Sequence, residues 1–185
     1  GSFDHGIFGA VERKTDHIRS SGGKPRQILW RIYTKRSILT AGALERFISF
    51  GNNDRPGIML SSAIRTYLNR WGVCPGKRIA LFTNNNDGWR TARELRDSGC
   101  NVVAVIDSRM ESSNQLDGVP TFKGETIIDT RGRKRIKSIE LKDGTTIETD
   151  CLGVSGGWNP NIHLSCHQRG KPVWDDKKLC FLPDK

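Results

Sequence analysis

The sequence has none of the long apolar runs or cysteine and histidine patterns that mark membrane spans and metal centres. No apolar stretch approaches the roughly 18 residues that a spanning helix needs, so we expect no membrane partner. The first residues show no basic-then-apolar signal pattern. None of the five cysteines stands in a C-x-x-C pair, and no spacing fits a metal site. We therefore expect reduced thiols, a cytoplasmic location and no metal.

Recognisable catalytic groupings are also scarce. Cys166 and His167 are adjacent, with His163 nearby, but a nucleophile or metal site needs further partners, and adjacent side chains rarely point the same way. The other histidines, His5 and His17, lie far away in the sequence. We therefore predict no catalytic residue in this chain.

The charge balance is strongly basic. The sequence has 30 Lys and Arg against 20 Asp and Glu, a net charge of +10, which raises nucleic acid as a partner. The densest basic run, at 131–137, lies between two strand signals and has no interleaved aromatic residues to stack on bases. We interpret it as the solvated tip of a hairpin and expect no nucleic-acid partner, although a basic nucleic-acid-binding module stays an alternative.

Residues near both ends of the segment 1–150 show patterns that are typical of antiparallel strands. The stretches 7–14 and 27–34 predict two strands, and Ile38-Leu39 predicts the start of a third, buried strand. Residues 119–149 alternate in hydrophobicity, and Asp143-Gly144 is typical of a hairpin turn.

The middle of the chain predicts a strand–helix–strand unit. Apolar residues at helical spacing over 60–71, followed by Gly72, indicate a helix; then come a buried strand at 78–83, a tight loop, a second helix and a buried strand at 101–107. Asp87 or Asn86 is the expected cap of the second helix. A further apolar strand, 151–157, ends in glycines.

Together these signals predict an α/β fold. We expect a Rossmann-like three-layer domain with an antiparallel β-meander, which is inserted in or flanked by pieces of a second dinucleotide-binding domain.

The loop after the strand at 78–83 departs from a dinucleotide fingerprint. A Rossmann loop carries G-x-G-x-x-G, whereas this one offers Gly88 alone, and Asp87 would face a phosphate with like charge. Asp107 does stand where an acidic residue would hold ribose hydroxyls. Thr83, Asn84, Asn85 and Asp107 are candidate cofactor contacts, and a Rossmann unit without a ligand is the competing interpretation. Arg109 would either accept a 2′-phosphate or, more simply, be solvated.

Small residues end two other apolar stretches. Thr40-Ala41-Gly42-Ala43 follows Ile38-Leu39, and Gly156-Gly157 ends the strand at 151–157. Residues with so little side chain let a nucleotide approach the backbone closely, or they form a tight packing corner.

A family resemblance joins these motifs. The segment 39–109, which includes "NNDRPGIML", "RTYLNR" and "VIDSR", resembles alpha subunits of heterotetrameric sarcosine oxidases, as do "VSGGWNPNIHLSCHQRGKPVWD" and "GAVERKTDH". Such complexes oxidise sarcosine to glycine with FAD and FMN and pass electrons to oxygen. Their alpha subunit binds NAD non-catalytically and assembles with beta, gamma and delta subunits.

The resemblance also implies a domain plan. Residues 1–50 would end a first FAD- or NAD-binding-type domain, 51–150 would form an inserted NAD-binding-like domain, and 151–185 would return to the first. Thr40, Ala41, Gly42, Ala43, Gly156 and Gly157 would then meet the first domain's cofactor. The order of Thr40 and Ala41 is exchanged relative to the usual form. We therefore expect this chain to be a fragment without its own catalytic centre. The alternative is the alpha subunit of a related amine, proline or opine dehydrogenase.

Overall fold

The chain divides into two compact units. The structure is a computed structural model that describes residues 2–20, 22–167 and 169–183. Unit 1 comprises Gly1–Leu44 with Asn159–Lys185, and unit 2 comprises Glu45–Trp158. Among the described residues, no helix is long and apolar enough to cross a membrane. The predicted assignment of these segments to two dinucleotide-binding domains stays a prediction.

Unit 1 begins with an antiparallel sheet. Its strands are β1 (Ser2–Asp4), β2 (Ile7–Arg13) and β3 (Gln27–Tyr33), in that order across the sheet. The two longer strands pair over their whole length, which confirms the prediction for 7–14 and 27–34.

The third predicted strand of this region is wrong. Ile38 is 89% exposed, Ile38-Leu39 forms no strand, and the next strand, β4, spans Ala43–Glu45. Two apolar residues that follow Lys35 and Arg36 give too short a signal to define a buried strand.

Unit 2 contains the predicted strand–helix–strand unit. Its elements are, in chain order, β5 (Ile58–Leu60), α1 (Ser61–Trp71), β6 (Ile79–Thr83), α2 (Asn86–Asp97), β7 (Val102–Asp107) and β8 (Thr121–Lys123). Helix α1 ends as predicted at Gly72, which takes a left-handed conformation with φ of 65°. Gly72 N–H donates to the Leu68 carbonyl, which is the bond of an αL C-cap, and Val73 N–H donates to the Tyr67 carbonyl.

The chain then forms an antiparallel meander and returns to the parallel sheet. The meander strands are β9 (Ile127–Arg131), β10 (Ser138–Leu141) and β11 (Thr146–Glu148), and the returning strand is β12 (Cys151–Ser155). Asp143 and Gly144 form the turn between the last two meander strands, as predicted, where the Asp143 carboxylate accepts from the Thr145 N–H. The parallel sheet has the order β5-β12-β6-β7-β8.

Unit 2 has three layers. The side chains of strand β6 contact both outer layers. Leu81 belongs to the apolar cluster that includes Ile64 and Trp89 of the helices. Its neighbour Phe82 belongs instead to a cluster with Ile139 and other meander residues. Successive strand residues point to opposite faces, so the helices cover one face of the parallel sheet and the meander covers the other. The predicted Rossmann-like three-layer fold is confirmed.

The remaining elements are short. They are β13 (Trp158–Pro160), α3 (His163–Cys166), β14 (Val173–Asp175) and β15 (Cys180–Leu182). Strand β13 pairs with β4, and β14 pairs with β15 in an antiparallel hairpin.

Candidate functional site: the carboxyl edge of the parallel sheet

Three neighbouring parallel strands end at the same place in unit 2. Thr83 is the register partner of both Asp107 and Ser155, so the carboxyl ends of β6, β7 and β12 lie side by side. We call this place, together with the loop 84–88, the carboxyl edge. Ligands of open α/β sheets bind in the crevice outside such strand ends, so it is the candidate site that the fold itself selects.

The loop after β6 is folded around Asn85. The Asn85 side-chain oxygen accepts hydrogen bonds from the backbone N–H groups of Asp87 at 2.9 Å and Gly88 at 3.4 Å. Asn85 is therefore the N-cap of α2, and the predicted caps Asp87 and Asn86 are wrong by one or two residues. The Asn85 amide also donates to the Ser155 carbonyl at 3.0 Å, which ties the loop to β12. The helix N–H groups that a dinucleotide phosphate would use are already paired.

Asn84 is held by the neighbouring strand. Its backbone N–H donates to the Ser155 carbonyl at 3.2 Å, and its side-chain amide to the Gly156 carbonyl at 3.4 Å. Thr83 in turn bonds Asn85 through its hydroxyl group. The structure thus brings five predicted contacts together: Thr83, Asn84, Asn85, Asp107 and Gly156.

Asp107 is buried and fully engaged. Its Oδ1 accepts from the backbone N–H and the Nε of Arg109, both at 3.0 Å, and its Oδ2 from Arg109 Nη2 at 2.8 Å and Trp89 Nε1 at 2.7 Å. Burial on its own raises the pKa of Asp107, but the hydrogen bonds from Arg109 and Trp89 outweigh it and hold that pKa below its ordinary value. Ribose hydroxyls would have to replace these donors.

Arg109 is not simply a solvated residue, so that part of the sequence interpretation is wrong. Its guanidinium pairs with Asp107 and also donates to the Asn86 side-chain oxygen at 3.0 Å. Asn114 donates to the same Asn86 oxygen at 3.0 Å. The Arg109 side chain keeps 36% of its surface exposed, but its positive charge is largely balanced by the buried carboxylate.

Gly88 keeps one of the three glycine functions of a dinucleotide loop. A Cβ atom at Gly88 would lie 2.4 Å from the Thr83 hydroxyl oxygen and 2.5 Å from Thr83 Cβ. Thr83, Asn85 and Gly88 stand at the spacing of G-x-G-x-x-G, whose last glycine serves close helix–strand packing. The packing glycine is present, whereas side chains replace the two glycines that admit a pyrophosphate.

The protein's own carboxylates stand at the starts of both long helices. Glu45 accepts from the Ser62 backbone N–H at 2.7 Å, in the first turn of α1. Asp87 lies in the first turn of α2 and forms an ion pair with Arg65 at 2.9 Å. Negative groups near helix N-termini are favourable, and here they occupy the positions that would otherwise attract an anion.

The predicted small residues fall in two places. Thr40, Ala41, Gly42 and Ala43 are exposed residues of unit 1, where the Ala41 and Gly42 carbonyls accept from Asn161. Gly156 and Gly157 belong to unit 2. A Cβ at Gly156 would lie 2.9 Å from the Arg46 carbonyl oxygen, so the group that approaches this glycine closely is the protein's own backbone.

The remaining candidates from the sequence are the cysteines and histidines near the end of the chain and the basic run at 131–137. Among the residues that the structure describes, no cluster of three His, Cys, Asp or Glu side chains is able to hold a metal ion. His163 and Cys166 are the ends of the four-residue helix α3. The basic run lies mainly in the loop between β9 and β10, with exposed Arg133, Lys134 and Arg135.

The sequence indicated the position of the carboxyl edge, but not which side chains pair with Asp107 and Asp87 there. Trp89 bonds Asp107 from a position 18 residues earlier, and Arg65 reaches Asp87 from another helix. The one usable signal was Arg109, two residues after Asp107, whose charge alone favoured a pair. Chemically, most polar groups of the carboxyl edge are paired within the protein, while the Asp87 Oδ2 is buried without a hydrogen-bond partner.

The comparison with curated proteins identifies homologues. The chain is 44% identical over 98% of its length to the sarcosine oxidase subunit alpha of Rhizobium meliloti (strain 1021), and 37% identical over 99% of its length to that of Corynebacterium sp. (strain U-96). It spans 19% and 21% of those proteins, about a fifth of their length. The resemblance is confirmed: the chain is homologous to a segment of sarcosine oxidase alpha subunits. No protein-family model matches it.

Solved structures share the fold. L-proline dehydrogenase from P. horikoshii matches 99% of this chain and 31% of its own, with a TM-score of 0.70 and 20% identity. Thioredoxin reductase from T. acidophilum matches 79% of this chain and 51% of its own, with a TM-score of 0.60 and 16% identity. The chain therefore shares its fold with these two solved structures.

Proposed function

We propose that this chain is part of the alpha subunit of a multi-subunit sarcosine oxidase, an oxidoreductase that demethylates sarcosine to glycine. The observation that carries the proposal is identity of 37 to 44% to such alpha subunits over nearly the whole chain. The complete enzyme would contain beta, gamma and delta subunits with FAD and FMN, and would be cytoplasmic.

Within that enzyme, we assign this segment a structural task. The carboxyl edge of unit 2 has its helix N–H groups capped by Asn85, and Asp107 paired with Arg109. Groups engaged in this way neither attack a substrate nor transfer its protons. The segment would therefore support the alpha subunit, while oxidation takes place elsewhere in the complex.

The test uses the complete enzyme. The full-length polypeptide that contains this segment is produced with its partner subunits, and oxygen uptake is measured with sarcosine and with L-proline. We expect turnover with sarcosine and little with proline. Turnover with proline alone would overturn the proposal and support the alternative, an alpha subunit of a related amine dehydrogenase, which the fold shared with the proline dehydrogenase favours.

A separate titration tests nucleotide binding at the carboxyl edge. The cofactor roles predicted for Thr83, Asn84, Asn85 and Asp107 stay predictions, and so do those of the small residues. Because Asn85 caps the helix N–H groups and Arg109 pairs with Asp107, we expect calorimetry of this chain with NAD to give no saturable heat. Saturable binding that Asp107→Ala weakens would instead make the edge a dinucleotide site.

A further inference from the structure

A polar groove of about 420 Å³ lies in unit 2, at the opposite edge of the parallel sheet from the carboxyl edge. Two of its residues mark that position, since Arg78 directly precedes β6 and Asp150 directly precedes β12. The basic residues Arg135 and Lys137, which lead into β10, line the same groove. We call it the amino groove. Its volume falls in the range of roughly 300–1,000 Å³ that small-molecule sites occupy.

The two carboxylates of the amino groove are already engaged. Glu148 accepts from the Arg78 guanidinium at 2.6 Å, so these two charges balance each other. Asp150 accepts from the backbone N–H groups of Lys77 and Arg78, both at 2.9 Å, and so holds the start of β6. Three cations against two carboxylates leave the lining of the groove net positive.

Arg135 and Lys137 are the cations without a partner. Both are exposed, and no ion pair among the described residues includes them. The residue between them, Ile136, is fully buried, and its N–H donates to the Pro56 carbonyl at 2.9 Å. The Lys137 N–H donates to the Arg131 carbonyl at 2.8 Å. The backbone that carries both cations is therefore fixed, while their long side chains are available to a ligand.

Hydroxyl groups accompany the cations in the amino groove. Ser138 and Thr146 both line it. Ser138 is the register partner of Glu148, and Thr146 lies two residues before Glu148, so the three side chains share one face of β10 and β11. Hydroxyl groups donate hydrogen bonds to anionic oxygens, and lysine and arginine bind phosphate through charge-assisted hydrogen bonds. The lining therefore supplies the donors that a phosphate group requires.

We propose that the amino groove binds a small molecule through a terminal phosphate group, with Arg135 and Lys137 as its charged contacts. This inference goes beyond the proposed function and does not depend on it. A terminal phosphate carries about two negative charges at neutral pH, which match the two cations that lack a carboxylate partner. NAD carries no such group, because its two phosphates are internal diesters, and it is therefore not expected in this groove.

The test is a calorimetric titration of this chain with inorganic pyrophosphate, at an ionic strength held constant with sodium chloride. We expect one saturable site with a Kd on the order of 1 mM or below. Arg135→Gln combined with Lys137→Gln should weaken binding at least about tenfold, because two charged donors are lost. The matched control, Arg133→Gln combined with Lys134→Gln, removes the same charge from the same loop outside the lining of the groove. It should keep the affinity within about twofold, since salt screens exposed charges that do not contact the ligand.

Three results would overturn the proposal. The first is the absence of saturable heat up to about 10 mM pyrophosphate. The second is an equal loss of affinity in both double variants, which would show a diffuse effect of charge. The third is tighter binding of a single-stranded oligonucleotide of about 12 nucleotides that both double variants weaken equally, which would identify a nucleic-acid-binding surface instead. All four substituted side chains are exposed, and the fluorescence of buried Trp89 verifies that each variant is folded.

Discussion

At the residue scale, the buried Asp107 carboxylate accepts hydrogen bonds from Arg109 and from Trp89 of helix α2. We expect Asp107→Asn to lower the free energy of unfolding by about 2 kcal/mol at pH 7, because the Arg109 donors and the buried Trp89 donor lose a charged acceptor. The loss is smaller than for a fully buried pair because Arg109 is partly exposed. Urea unfolding, followed by circular dichroism, measures the loss.

The same pair predicts a dependence on pH. The pKa of Asp107 is lowered in the folded protein, so its stabilisation is complete above the unfolded pKa of about 3.9 and is lost as the pH falls further. The gap between the original chain and Asp107→Asn should therefore shrink below about pH 4. Asp97→Asn is the control, because that carboxylate is exposed and paired with adjacent Arg96. A gap that stays constant from pH 7 to pH 3 would contradict this account.

At the scale of elements, Gly88 determines how closely helix α2 packs on strand β6. We expect Gly88→Ala to cost about 3 kcal/mol, since the new Cβ would overlap Thr83. Gly72→Ala is the matched comparison: nothing lies within 4 Å of its Cβ, and only the left-handed φ of 65° opposes it. That strain costs about 1 kcal/mol. Chemical denaturation of both variants measures the difference, and equal losses would refute the packing role.

A double variant separates packing from helix propensity. In Thr83→Gly with Gly88→Ala, the atoms that the new Cβ would meet are gone. We expect the double variant to be more stable than the sum of the two single losses implies, by about 1 kcal/mol or more. Simple additivity would mean that Gly88 is not required by contact with Thr83.

The elements that local pattern determines were predictable, and those that depend on distant partners were not. Helix α1 follows from apolar spacing and Gly72, and strands β6 and β7 follow from continuous apolar runs. The buried strand predicted at Ile38-Leu39 is wrong because burial depends on what covers a segment, and a short apolar pair does not specify that. The Trp89–Asp107 contact spans 18 residues and arises only when the helix packs on the sheet.

At the scale of the whole molecule, the two units differ in how they treat apolar side chains. The buried apolar cluster around Leu81 and the one around Phe82 both lie entirely within unit 2. The antiparallel sheet of unit 1 instead leaves large side chains in solvent, such as Tyr33 at 73% and Leu29 at 65% exposure. Unit 2 therefore has a closed core of its own.

A fragment of residues 45–158 tests that conclusion. Because the parallel sheet, both long helices and the meander lie within it, we expect a cooperative urea transition with buried Trp89 fluorescence, as in the whole chain. The matched control is 45–150, which lacks β12; that strand lies between β5 and β6, so its removal should abolish the transition. If 45–158 were unfolded as well, its core would require residues of unit 1, and the closed core would be refuted. A cooperative transition in 45–150 would show that β6 and β7 form a stable sheet without β12.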